Sequence, residues 1–415
     1  MPMRSATLLI ALAFIAFISL GLPDGLLGVA WPSMRADFGQ PLDALGLLLI
    51  STTSGYMISS FFSGPISRWL GIGRLLGFSC AATGLSLLSF TWVDQWFSVI
   101  LIGVVVGVSA GAIDAGLNTY IAVNHSERLM QWLHASFGVG ITLGPLIMTA
   151  GLNQFESWRV GYWIVGSAQV ALGAVFLLTA RVWQKKAPIK PAIEPNMTDD
   201  AGKVAPTSPI PDSSPAGFKS SLMQWQVWLS MGLFFCYTGL ELTLGLWGYS
   251  LLTEERDVQP GPAGLWIAVY WGMFTLGRMV AGLFANHLGN HRLVMGSLIL
   301  AFSGAMVLIW NPAPLIGLLA IGLLGFAFAP VFPAMVSGTG QRVGQKHLAN
   351  TMGMQIAGAG IGAATLPALA GWLSAQFTLE VIPWFLAIVV LVLSLLYTMA
   401  RKLRVEKGVS TEKIS

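Results

Sequence analysis

Apolar runs of about 20 residues recur along nearly the whole chain, set apart by short stretches rich in Gly, Pro and charge. A run of that length, coiled as a helix, crosses a hydrocarbon core of about 30 Å. Twelve such spans are expected, at about 6–34, 42–69, 75–93, 97–122, 130–153, 160–183, 224–252, 262–286, 292–310, 313–337, 346–376 and 381–401. Residues 185–221, KKAPIKPAIEPNMTDDAGKVAPTSPIPDSSPAGFKSS, divide them six and six. That stretch has no apolar face to bury and reads as a flexible linker. The expected organisation is an N-terminal six-helix half (1–184), a cytoplasmic linker (185–221), a C-terminal six-helix half (222–402) and a cytoplasmic tail (403–415). The first apolar run continues to about Trp31 with no evident small-residue cleavage site, so it reads as a span and not as a leader.

Composition agrees with the pattern. Of 415 residues, 55% are hydrophobic and 10% charged, too few charges to cover a soluble protein of this size. The net charge of +4 raises the question of a nucleic-acid partner, but the placement of the cations answers it. With both termini in the cytoplasm, Arg35, Arg159 and Arg256 are the cations assigned outside, and the other 19 of 22 fall on the cytoplasmic side. That asymmetry orients membrane helices. The expected location is the cell (inner) membrane, multi-pass with both termini cytoplasmic, and a monomer is expected. Cys80 and Cys236 lie in apolar runs and read as small core residues. No GxxxxGK[ST], HExxH or CxxC occurs, and no Gly-x-Ser-x-Gly elbow is read, since GVSAG (107–111) lies inside an apolar span, so neither an enzyme nor an ATP-driven pump is expected.

An internal repeat divides the chain in the same way. GPISRWLGIGRL (64–75) and GLFANHLGNHRL (282–293) match at a constant offset of 218, which also pairs GLPDGLLG (21–28) with GLELTLGL (239–246). Two parallel six-helix repeats are a transporter plan, with the solute site near the midplane between them. The first pair resembles the loop motif of the major facilitator superfamily, Gly-x-Leu-x-Asp-Arg-x-Gly-Arg, although Arg68 and Asn286 stand where that motif has Asp. IDAGLNTYIA (113–122), LHASFGVGITLGPLI (133–147) and YWGMFTLGRMVAG (270–282) resemble the fucose:proton symporter branch. The resemblance implies an all-α fold of twelve transmembrane helices. It also implies an acid in the first span and an acid four residues before an Asn in the fourth.

Fifteen of the 18 acids fall in loops, termini, linker or span ends, leaving Asp24, Asp114 and Glu241 at membrane depth. An ionised residue there costs about 3 kcal/mol, so these three are the candidate proton-coupling residues. Asp114 and Asn118, four apart, share a helix face and can hold the hydroxyls of a sugar. Pro23 and Gly25 around Asp24 suggest a bent or broken first helix. His134 in the fifth span and Gln355 in the eleventh are further solute ligands, while Trp247, Tyr270 and Trp271 offer faces that stack on a sugar ring. Arg278 reads as a snorkelling or capping residue. Packing roles for Asn118 and His134 stay open, as does an interface belt for Trp266 and Tyr249.

The expected function is secondary transport of a small polar solute, a sugar, by proton symport with alternating access. It needs no cofactor beyond the proton gradient, and its partners are the solute and the lipid bilayer. A proton-coupled antiporter of drugs or amphipathic compounds, a facilitator and a solute receptor are the alternatives. The orientation is directly testable. In intact cells a membrane-impermeant maleimide should label Asp94→Cys and spare Lys402→Cys, and the opposite pattern would invert the topology.

Overall fold

The computed structural model describes residues 2–125, 127–184 and 218–409, so the expected linker (beyond its last four residues) and the end of the tail lie outside the described residues. The described chain is helical and contains no strand. The N half holds α1 (Pro2–Asp37), α2 (Leu45–Leu70), α3 (Ile72–Phe90), α4 (Trp96–Asn124), α5 (Glu127–Phe155) and α6 (Trp158–Gln184). In the C half, α7 (Trp225–Ser250) runs on into a π-helical turn, Leu251–Glu255. A helical run Pro260–Trp310 kinks at Gly289, giving α8 (260–288) and α9 (Gly289–Trp310). Then follow α10 (Pro314–Ser337), α11 (Leu348–Gln376) and α12 (Val381–Val409).

Among the described residues, eleven of these helices are long and apolar enough to cross a membrane. The twelfth, α8, has its apolar run diluted by Pro260, Gly261, Pro262 and Arg278, yet it forms where the span 262–286 was expected. The even number puts both ends of the described chain at one face, called here the terminal end. The opposite face is the far end.

The repeat is visible in the backbone. Gly71 between α2 and α3 has φ 76°, ψ 150°, and Gly289 between α8 and α9 has φ 73°, ψ 149°. This region is essentially reserved for glycine, so the matched Leu-Gly pairs of the two loops encode one sharp turn used twice. Helix pairing repeats as well: α1 lies on α5, α2 on α4 and α3 on α6, while α7 lies on α11, α8 on α10 and α9 on α12.

The expectation of a broken first helix is corrected: it runs unbroken through both Pro23 and Pro32. A proline removes one backbone hydrogen bond, but a neighbouring helix in a bundle can hold the segment in place. Gly21 and Gly25 flank Pro23 and sit directly on the α5 backbone at Phe137 and Ile141.

The halves meet where α1 faces α7, α2 faces α11 and α5 faces α8. Gly28 lies on Gly245 and Leu246, Gly46 on Ala368, Gly264 on Thr149 and Gly261 on Asn153. All four approaches lie toward the far end, and Gly138 against Thr275 lies near mid-height. Arg35 of α1 and Glu254 beyond α7 add an ion pair across the far end. The described junctions therefore join the halves from the middle to the far end, as in a cavity open toward the terminal end.

Each half is also clasped at its far tip. Arg159 and the Trp158 indole of α6 both donate to Asp37 of α1. Arg256 beyond α7 donates to both carboxylate oxygens of Glu380, which precedes α12, at 2.7 and 2.8 Å. The two clasps occupy equivalent places with their charges exchanged. The three far-end arginines of the charge count are thus all ion-paired.

Within the N half, Gly103, Gly107 and Gly111 form a ladder on α4 that lets α2 approach closely. A Cβ at Gly107 would overlap the backbone oxygen of Thr52, whereas one at Gly296 would meet nothing within 4 Å. Gly107→Ala should therefore cost about 3 kcal/mol, at the upper end of overpacking costs, and Gly296→Ala less than about 0.5 kcal/mol. Thermal unfolding of the purified protein in detergent compares the two.

Candidate functional site

The α4 ladder ends at the site. One turn beyond Gly107, Gly111 rests on the backbone of Tyr56, so α2 delivers the Tyr56 hydroxyl to the next polar residue of α4. That residue is Asp114. Tyr56 Oη donates to Asp114 Oδ2 at 2.5 Å, and Asn118 Nδ2 donates to Asp114 Oδ1 at 2.9 Å. One carboxylate is thus held by two side-chain donors from two helices. Asn118 Oδ1 is buried and has no partner among the described residues.

Asp24 lies near the middle of α1, within electrostatic range of Tyr56. It is exposed, and among the described residues it makes neither a hydrogen bond nor an ion pair. Its depth along α1 and its open surface place it on the cavity between the halves. His134 of α5 is exposed too, edge-on to Phe17 at 5.6 Å and in electrostatic range of both Asp114 and Arg278. It links the two halves.

On the C-half side Glu241 of α7 faces Arg278 of α8, with oxygen and nitrogen 4.0 Å apart. The guanidinium lies over the Phe274 ring at 4.3 Å. Asp24, Tyr56 and Glu241 sit near the middle of their helices. Asp114, His134 and Arg278 lie between the middle and the terminal end. Together they form a polar path across the cavity from Asp24 to Glu241.

The structure brings Asp24, Asp114, Asn118, His134 and Glu241 to this path and leaves the other expected ligands in helix packing. Trp247 is fully buried, with its indole donating to the Pro367 oxygen of α11 at 2.8 Å. Tyr270 is fully buried and donates to the backbone oxygen of Glu241 at 2.7 Å. Gln355 is buried and donates to Ser230 at 2.6 Å and to Thr339 at 2.9 Å. Trp271 is 2% exposed, packed on Gly245, and its indole nitrogen has no partner among the described residues. For these four the physical reason is the same: a helix bundle with so many glycines closes on large rings and amides from its own neighbours.

Two residues of the path were missed by pattern alone. Tyr56 is one polar ring in an apolar span, and the signal that could have found it was the α4 ladder, which demands a close partner helix. Arg278 was read as a capping residue, but it faces Glu241 instead of the membrane surface.

Comparison with known proteins now bears on the fold and the path together. The family model of the Major Facilitator Superfamily matches residues 12–251 and 229–413. The chain belongs to this superfamily. It is therefore a multi-pass membrane transporter and not an enzyme. Among superfamily relatives, the sodium-dependent glucose transporter 1A of Mus musculus is 23% identical over 383 residues, which cover 88% of this chain and 89% of the relative. The glucose/mannose transporter GlcP of Bacillus subtilis (strain 168) is 20% identical over 425 residues, covering 99% and 98%. The solved structure of the nucleoside transporter NupG is similar with a TM-score of 0.74 at 13% identity, covering 94% of this chain and 98% of that one. A bacterial homolog of the human lysosomal transporter Spinster, inward-facing and unoccupied, gives 0.73 at 13% identity, covering 97% and 98%. At these identities the structural likeness speaks for the fold alone.

A double-mutant cycle tests the Tyr56–Asp114 contact. Tyr56→Phe and Asp114→Asn should together change stability by less than the sum of their separate effects. A hydrogen bond to a charged group predicts a coupling of about 1.5–3 kcal/mol. Thermal melts of the four proteins measure it, and additive effects would remove the contact.

Proposed function

We propose that this superfamily member is a secondary transporter that moves a hexose-type sugar by proton symport, with Asp24 as the main proton site and Asp114 linking protonation to the solute. The observation that carries the reading is Asp24: an unpartnered carboxylate, open to the cavity at mid-membrane. A carboxyl in that position can exchange a proton with whichever side the cavity faces. Structural ion pairs at depth are satisfied by partners, and Asp24 has none among the described residues.

Tyr56 stands between the two acids and couples them. Asp114 and Asn118 supply the acceptors and donors that sugar hydroxyls require. With the terminal end in the cytoplasm of a cell (inner) membrane, the cavity described here faces inward. Transport follows when the halves rock about the path, breaking the far-end junction and closing the terminal one. One chain encloses the whole path, so a monomer suffices. The acid-and-Asn arrangement supports the resemblance to the fucose:proton symporter branch, and the relatives named as glucose transporters support a hexose as cargo.

Sodium is the second reading, favoured by the name of the mouse relative. A sodium ion needs several converging oxygens, and Asp24 would supply one of them.

Proteoliposomes separate the readings. Labelled glucose, galactose or mannose should accumulate when an inward proton gradient is imposed, and not under a sodium gradient alone. Asp24→Asn should lose accumulation but retain exchange at equal pH on the two sides. Accumulation driven only by sodium, or uphill pH-dependent uptake by Asp24→Asn, would overturn the assignment.

A further inference from the structure

The Arg278–Glu241 pair is only half made. At 4.0 Å the two groups attract, but no hydrogen bond spans that distance. Arg278 carries five N–H donors, and among the described residues none of them has an acceptor. Its Nε is buried. The guanidinium is nonetheless fixed in place, since its plane rests on Phe274 at 4.3 Å. The Glu241 backbone is held as well, since the Tyr270 hydroxyl donates to its oxygen at 2.7 Å, while Tyr237 lies beside its carboxylate; the side chain is 14% exposed against 33% for Arg278. Both groups are partly open, and Arg278 is within electrostatic range of His134 on the opposite half. A donor fork and an acceptor thus stand side by side without a direct hydrogen bond between them.

We propose that Arg278 and Glu241 form a charge-balanced clamp that binds two hydroxyls of the solute and selects a neutral sugar over a sugar acid. The inference rests on the reading of this protein as a sugar transporter. A vicinal diol can lie across the open edges of the two neighbouring groups, because each hydroxyl needs a donor and an acceptor, which guanidinium and carboxylate supply in turn. A uronate does not fit. Glu241 already cancels the charge of Arg278, so an incoming carboxylate loses its hydration and gains no net field in return. This separates the roles of the three membrane acids. Asp24 and Asp114 serve the proton, and Glu241 serves selectivity.

Exchange in proteoliposomes at equal pH on both sides tests the clamp, with labelled glucose, galactose and mannose as tracers and glucuronate, galacturonate and mannuronate as competitors. In the unaltered protein the neutral hexose should compete and its uronate should not. Glu241→Gln leaves Arg278 unbalanced, and uronate competition relative to hexose should rise about tenfold or more. Arg278→Gln should weaken hexose exchange about tenfold or more without admitting uronates. The double variant, uncharged again, should reject uronates as the unaltered protein does. A gain of uronate binding cannot come from misfolding, so the first result does not depend on how well the variants fold.

An unchanged hexose-to-uronate preference in Glu241→Gln would overturn the clamp, as would normal hexose affinity in Arg278→Gln. If none of the tracers exchanges in the unaltered protein, the sugar-transport reading fails and the clamp falls with it. If exchange is normal and only the preference fails to move, the clamp alone is wrong.

Discussion

Helices in lipid gain little by hiding apolar side chains from one another, because the tails around them are as apolar as leucine. Their association rests instead on how closely backbones approach. Glycine sets that distance throughout this protein. Gly140 and Gly144 bring α5 onto α1 beside Asp24, and Gly325 brings α10 onto α8 at Tyr270. The ladder on α4 admits α2. Without the ladder, Tyr56 would not reach Asp114, and the path across the cavity would lose its middle member.

The same close contacts hold each half together more tightly than the halves hold each other. Within each half the pairs α1–α5 and α7–α11 are seated on glycine, and a tip clasp ties α1 to α6 and α7 to α12. Between the halves the contacts are fewer and lie from mid-height to the far end, with one ion pair, Arg35–Glu254, among the described residues there. Two stiff units joined at one end suit the alternating access proposed above. In the proposed cycle charged groups suit the far-end junction, because water can solvate a partly exposed pair such as Arg35–Glu254 and breaking it then costs little.

The two sides of the cavity are built from different chemistry despite their common repeat. The N half presents a carboxylate, amide and phenol in mutual hydrogen bonds, together with the bare Asp24. The C half presents a cation and an anion held apart on an aromatic floor. The offset of 218 places Leu242, not an acid, opposite Asp24, so the repeat preserved the frame while the sites diverged. On the proposed reading, a neutral solute between the halves meets a proton-sensitive wall on one side and a charge-balanced wall on the other.

Much of the architecture was legible in the chain itself. Twelve spans, the division into halves, the duplicated Leu-Gly turn and the three acids at depth all follow from hydropathy and spacing. These are local properties: a lipid-facing segment must be apolar along its length, and a positive φ with extended ψ admits only glycine. Partners were another matter. Nothing along the chain says that Tyr56 meets Asp114, 58 positions away, or that Arg278 turns toward Glu241. Nor does it say that Trp247, Tyr270 and Gln355 spend their polar atoms on Pro367, Glu241, Ser230 and Thr339. Those pairings depend on the rotation and separation of whole helices, which are set by packing against several neighbours at once. The sequence alone determined which residues could carry charge inside the membrane; the tertiary structure decided which of them face the cavity, because only assembled helices have an inside.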